Sequence, residues 1–317
     1  MNPYVILGSA IIGILVGLTG AGGGALMTPM LILLFSFKPS TAISSDLVAS
    51  VLMRPVGSLV HMQKGTVNWR LVGWMCIGSV PMAFLGAYLL HLMGGTKGQQ
   101  TDIEIVLGAA LLIGTAAMLL RSWLDRRSGQ ARTALIGTIT VRPAASLAIG
   151  AVGGLIVGMT SVGAGSLMIV LLLFTYPLIS AKQLVGTDLT QAVPLTAAAA
   201  LGALAFGQVQ FGLTTAIVIG GVPAVLVGSL LSSRAPDKYI RPVIAFVIFA
   251  SGLKYVGLST TALGWTLGAV LIACAAYWFI SRARRPSTAA RTETPATSRA
   301  ETVAAADPEA PQPLRST

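Results

Sequence analysis

The sequence predicts an all-α polytopic membrane protein. Two homologous units in an inverted repeat each hold a Gly-broken helix plus three spans, and one extra C-terminal span follows. Three observations carry that prediction. First, 54% of residues are hydrophobic and only 10% charged, with a mean hydropathy of +0.81; soluble domains carry about 25% charged residues. Apolar runs of about 18 residues or more recur, the length that crosses a bilayer as a helix. Second, residues 17–27 read G-L-T-G-A-G-G-G-A-L-M and residues 158–168 read G-M-T-S-V-G-A-G-S-L-M. Gly13, Gly17, Thr19, Gly22, Gly24, Leu26 and Met27 recur as Gly154, Gly158, Thr160, Gly163, Gly165, Leu167 and Met168. After one inserted residue, Asp46, Gly65, Gly78, Pro81 and Gly86 recur as Asp188, Gly207, Gly220, Pro223 and Gly228. This is one module present twice. Third, basic residues alternate over the loops in opposite sense in the two units.

In chain order, residues 4–18 are apolar with a helical period. The opening M-N-P-Y-V has no basic leader region, so this segment reads as a retained span. The glycines follow, then an apolar run at 26–37. About a dozen residues at ~1.5 Å each cannot cross a core ~30 Å thick. Two short helices joined by glycines imply a discontinuous helix or a re-entrant hairpin, tolerated at depth where protein or a watery cavity satisfies the backbone. Full spans are expected near 42–60, 71–93 and 103–120, which closes the first repeat at 1–120. A basic loop, 121–143, precedes the second repeat, 144–258, with its broken segment at 144–179 and spans near 184–206, 213–231 and 242–258. An extra span at 259–281 has no partner in the first unit. Residues 282–317 are Ala, Thr, Pro and Ser with scattered charge and read as a disordered tail.

Arg121, Arg126, Arg127, Arg132 and Arg142 against Asp125 place the central loop in the cytoplasm. Counting back puts 62–70 inside, with Lys64 and Arg70. Its counterpart 207–212 then lies outside and carries no charge. The loop 94–102 lies outside; its counterpart 232–241 lies inside, with Arg234, Lys238 and Arg241 against Asp237. Opposite orientation requires three crossings plus one hairpin per unit, the plan of many secondary transporters. A plasma (inner) membrane location with a cytoplasmic C-terminal tail follows.

Three sets of residues could carry chemistry. A helix starting after Gly24 or Gly165 presents free N–H groups and the positive end of its dipole. Gly22, Gly23, Gly24, Gly163 and Gly165 let an anion approach that backbone, with Thr19, Thr160, Ser161 and Ser166 as hydroxyl donors. Two such ends facing each other would hold a small oxyanion. Glycines also serve close helix packing, which suits the spacing of Gly13 and Gly17 and of Gly150, Gly154 and Gly158. Asp46 and Asp188, in S-S-D-L and G-T-D-L, are either intramembrane carboxylates able to couple a proton or helix N-caps at the surface. Arg54 lies mid-span and needs a partner, a cavity or an anionic substrate, which a guanidinium grips bidentately. Its repeat counterpart is Thr196, so its role is asymmetric. Gln191 and Thr190 add neutral donors near Asp188.

The net charge of +11 follows from loops and tails, so a lipid bilayer rather than nucleic acid is the expected partner. Cys76 and Cys274 are unrelated by the repeat, and only His61 and His91 are present. No disulfide framework, metal site, cofactor motif or enzyme nucleophile is indicated. A homo-oligomer is compatible with the sequence.

With G-L-T-G-A-G-G-G-A-L-M followed by P-M-L, and the return of this pattern with S-S-D-L or G-T-D-L after each copy, the chain resembles the TauE/SafE family of sulfite exporters, TSUP-type permeases. The resemblance covers nearly all of the chain up to about residue 258. It implies an integral membrane permease with two related halves and substrates such as sulfite or an organosulfonate. The second copy departs by placing Ser161 and Ala164 where the first has Gly20 and Gly23. Two alternatives stand beside an anion transporter: a cation or metal-ion permease using Asp46 and Asp188, and a non-transporting membrane subunit or scaffold.

Overall fold

The computed structural model describes residues 2–19, 23–63, 67–93, 97–127, 140–163, 165, 167–176, 179, 181–231, 237–259 and 261–268. Ten helices follow in order: α1 (Pro3–Thr19), α2 (Gly24–Leu33), α3 (Pro39–Gln63), α4 (Trp69–Met93), α5 (Lys97–Arg127), α6 (Pro143–Thr160), α7 (Leu167–Thr175), α8 (Ala181–Phe206), α9 (Phe211–Leu231) and α10 (Asp237–Tyr255). They form one compact unit, Met1–Leu263. Residues 264–268 of the following unit are helical; the rest of the expected extra span and the tail lie outside the described residues.

Two expected boundaries move. The third span runs on as helix to Arg127, taking in the first arginines assigned to the central loop, and the run at 26–37 is helical only to Leu33. Among the described residues, five helices are long and apolar enough to cross a membrane: Trp69–Met93, Gln100–Leu120, Pro143–Thr160, Gln183–Phe206 and Phe211–Leu231. The 25 residues of α3 are more polar: Ser44, Ser45, Asp46 and Ser50 are all buried on it. Such a helix is stable in lipid only with its polar side turned to protein or water.

The halves match element for element, α1–α5 recurring as α6–α10. Helices α4 and α6 run side by side in the same direction: Gly150 packs on the Met75 carbonyl, Gly154 on Ser79 and Gly158 on Ala83. Helices α1 and α9 do the same, through Gly220 on Ile6, Gly13 on Gly221, and Gly17 on Val225 and Gly228. Small residues let these backbones approach closely, which is how helices associate without a hydrophobic drive between them. We expect Gly154→Val to cost about 1–3 kcal/mol by overpacking, because its Cβ would fall 2.7 Å from Ser79 Cα. Thermal unfolding in detergent reads this, with Gly73→Val as control, since nothing lies within 4 Å of that Cβ.

Equivalent helices that meet across the two halves run oppositely. Ser40 Oγ donates to Gln208 Oε1 (3.0 Å) and the Gln210 N–H to Ser45 Oγ (3.1 Å), so the start of α3 meets the end of α8. The Asn68 N–H donates to Thr187 Oγ1 (3.1 Å), so the end of α3 meets the start of α8. Likewise Gly108 of α5 packs on Gly252 and Tyr255 of α10, and Leu112 packs on Gly252.

The broken segments fold back as hairpins. Helix α3 runs with α9, since Ser45 meets Gln210 and Met53 meets Gly221; α9 runs with α1. Helices α1 and α3 therefore point the same way, and α2 must return the chain between them. Its register agrees: Gly8 packs on Met30 and Phe35. In the second half Tyr176, just past α7, closes on the start of α6. Its hydroxyl lies 2.6 Å from Ser146 Oγ and accepts the Arg142 N–H at 2.9 Å.

Candidate functional site

The tips of the two hairpins meet. Helix α6 ends at Thr160, and Ser161 caps it in the left-handed conformation (φ 58°), its N–H donating to the Val157 carbonyl. Such a backbone costs a non-glycine residue about 1–2 kcal/mol, so something must hold it. The Ser161 carbonyl and hydroxyl lie against Gly24, the first residue of α2, where any Cβ would overlap them. The Ser161 hydroxyl then donates to Asp46 Oδ2 at 2.7 Å. Thr28 Oγ1, one turn into α2, donates to the same oxygen at 3.0 Å. One carboxylate on α3 thus ties the first hairpin to the second.

Asp46 and Asp188 are buried, at 0% and 1% exposure. Each lies seven residues inside its helix, beyond the first turn of α3 or α8. The N-cap alternative is therefore excluded: these are carboxylates within the bundle. Arg54 is half-buried and interacts electrostatically with both of them. Its Nε is buried without a hydrogen-bond partner. One turn before it, Ser50 Oγ lies beside Gly23, 4.0 Å from where a Cβ would stand.

Several expected site residues make contacts within the protein. Ser161 gives its hydroxyl to Asp46 rather than facing an incoming anion. Thr160 Oγ1 donates to the Ile156 carbonyl (2.6 Å) and accepts the Val162 N–H (3.2 Å), which finishes the helix. Gln191 Nε2 donates to Ser79 Oγ at 2.6 Å, while its Oε1 is buried without a partner; what it offers is an acceptor. Gly163 and Gly165 have φ near 110°, a backbone that favours glycine. The junction differs from two helix N-termini facing each other: the start of α2 meets the capped end of α6. Thr19 ends α1, its side chain lying outside the described residues, as do Gly22 and Ser166. An apolar cavity of about 220 Å³ flanks the second hairpin, lined by Val106, Ile113, Ile156 and Leu167 among others. It offers an ion nothing to bind.

Thr28 and Ser79 escaped the sequence reading. Thr28 is a polar residue in the otherwise apolar stretch G-A-L-M-T-P-M-L, and its repeat counterpart is Ile169. That asymmetry was the available signal.

Paired broken helices meeting around buried charge in an apolar helical bundle define a polytopic membrane transporter. The chain belongs to the family described as Sulfite exporter TauE/SafE, which matches residues 5–255. It is 37% identical to "Probable membrane transporter protein YjnA" of Bacillus subtilis (strain 168) over 257 residues, 81% of this chain and all of that protein. It is 23% identical to "Probable membrane transporter protein YdhB" of the same organism, covering 78% of this chain and 98% of that one. A "Probable membrane transporter protein" of Xylella fastidiosa (strain Temecula1 / ATCC 700964) is 24% identical, with 82% and 97% covered. No solved structure matches the chain significantly.

Proposed function

We propose that the protein is a secondary transporter, working as an exporter, for a small sulfur-containing oxyanion such as sulfite or an organosulfonate. The observation that carries this is Arg54: a guanidinium with a buried, unpartnered Nε on a helix packed against the start of α2. An oxyanion there accepts from Arg54, from the Ser50 hydroxyl and from the free N–H groups that open α2. The family description supplies the sulfur chemistry.

The opposite running of α3 against α8 and of α5 against α10 supports an inverted repeat, in which one half rocks against the other around the hairpin tips. The first hairpin then enters from outside and the second from the cytoplasm. The protein sits in the plasma membrane with its C-terminal tail in the cytoplasm. Asp46 or Asp188 exchanges a proton in each cycle. Purified protein in liposomes is expected to carry labelled sulfite or a sulfonate saturably, and an imposed pH gradient to change the rate. Absence of flux for both anions, from folded protein, would overturn the anion assignment.

A further inference from the structure

The geometry points to a sodium site at Asp46, formed by Asp46 Oδ1, Thr28 Oγ1 and Ser161 Oγ, which supplies the coupling ion of the transporter proposed above and leaves Asp188 for the proton. Asp46 Oδ2 accepts from two hydroxyl donors. Its Oδ1 is buried with no partner. A bare carboxylate oxygen in such surroundings is costly and calls for a positive charge.

Arg54 is shared between Asp46 and Asp188, which are the fully buried charged side chains among the described residues. A guanidinium divided between two carboxylates compensates each only in part, and a monovalent cation at Asp46 completes the compensation there. The dipole adds to this. Asp46 is bonded to the capping residue of α6, so it faces the negative end of that helix. A carboxylate at a helix C-terminus is repelled there unless a cation sits between them.

The donors are hard oxygens: one carboxylate and two hydroxyls, all at 0 or 1% exposure. Such a set suits an alkali or alkaline-earth ion rather than a transition metal. Its single formal charge selects a monovalent ion, and with both hydroxyls held within 3.0 Å of the same carboxylate the set is compact, which favours the smaller sodium over potassium. The second half cannot build the same cage, because Ile169 and Gly20 replace the two hydroxyl residues.

The test is sodium binding to the detergent-purified full chain with no anion present, so that it succeeds or fails independently of the substrate. Thermal unfolding is followed against NaCl, KCl and choline chloride at equal ionic strength and fixed pH; a ligand that binds only the folded state raises the transition by mass action. We expect a saturable rise with sodium alone. Thr28→Val, which preserves shape, and Ser161→Ala should each weaken apparent sodium affinity at least tenfold, and Asp46→Asn should abolish the response. No sodium-specific shift in the unaltered chain, an equal shift with potassium, or a response that survives Thr28→Val and Ser161→Ala would overturn the assignment. Should Asp46→Asn fail to fold, the two hydroxyl variants still decide.

Discussion

Gly24→Ala is expected to lower anion flux into liposomes at least tenfold and to reduce the unfolding temperature, while Gly23→Ala leaves that temperature unchanged. The two glycines are adjacent, and sequence alone treats them alike. In the structure, a Cβ on Gly24 would overlap the Ser161 carbonyl and stand 2.5 Å from its carbonyl carbon, whereas a Cβ on Gly23 would meet nothing nearer than 4.0 Å. The Ser161 backbone cannot give way, because its left-handed conformation is fixed by the hydroxyl bond to Asp46 and the N–H bond to Val157. A methyl at Gly24 therefore pushes the two hairpin tips apart and strips Asp46 of a donor. The buried carboxylate is then less satisfied, at about 1–3 kcal/mol for a lost partner, more for a charged group. Equal unfolding temperatures for the two variants would show that the tips are not in this contact.

That junction explains what the sequence could and could not disclose. Helices α4, α8 and α9 were legible within a few residues because an apolar run of fixed length has one solution in lipid. A break in each unit was legible because α2 and α7, with 10 and 9 residues, are too short to cross alone, but the sequence left open whether the chain continues or turns back there. Loop charge predicted opposite orientation of the halves, and α3 runs antiparallel to α8 in the structure. The coupling of Ser161 to Asp46 was not visible, since 115 residues separate them and no period links a helix cap in one repeat to a carboxylate in the other. Sequence symmetry pointed the wrong way here. Asp46 and Asp188 are equivalent in the repeat, yet Thr28 and Ser161 face Ile169 and Gly20 across it. The proposed site draws on departures from the repeat: Thr28, Arg54, Ser161 and Gln191 all lack an equivalent of the same type.

Arg54→Gln should reduce flux at least a hundredfold and also destabilise the fold, and Arg54 together with Asp188 should behave non-additively. The guanidinium interacts with both buried carboxylates. Removing one partner of a buried ion pair costs roughly 3–5 kcal/mol; Arg54 is partly buried and interacts with the carboxylates electrostatically, so the expected loss lies at or below the lower end. Adding Asp188→Asn to Arg54→Gln removes one of the two orphaned negative charges. Part of the stability should return, giving an interaction energy of about 0.5–3 kcal/mol in a double-mutant cycle. Flux should not return, because the anion has lost its donor. Arg54→Lys separates charge from geometry: it keeps the positive charge and most of the stability but loses the planar fork that matches an oxyanion, so its defect should appear as weaker apparent affinity. If the double variant is as unstable as the sum of the single changes, Arg54 does not couple to both carboxylates.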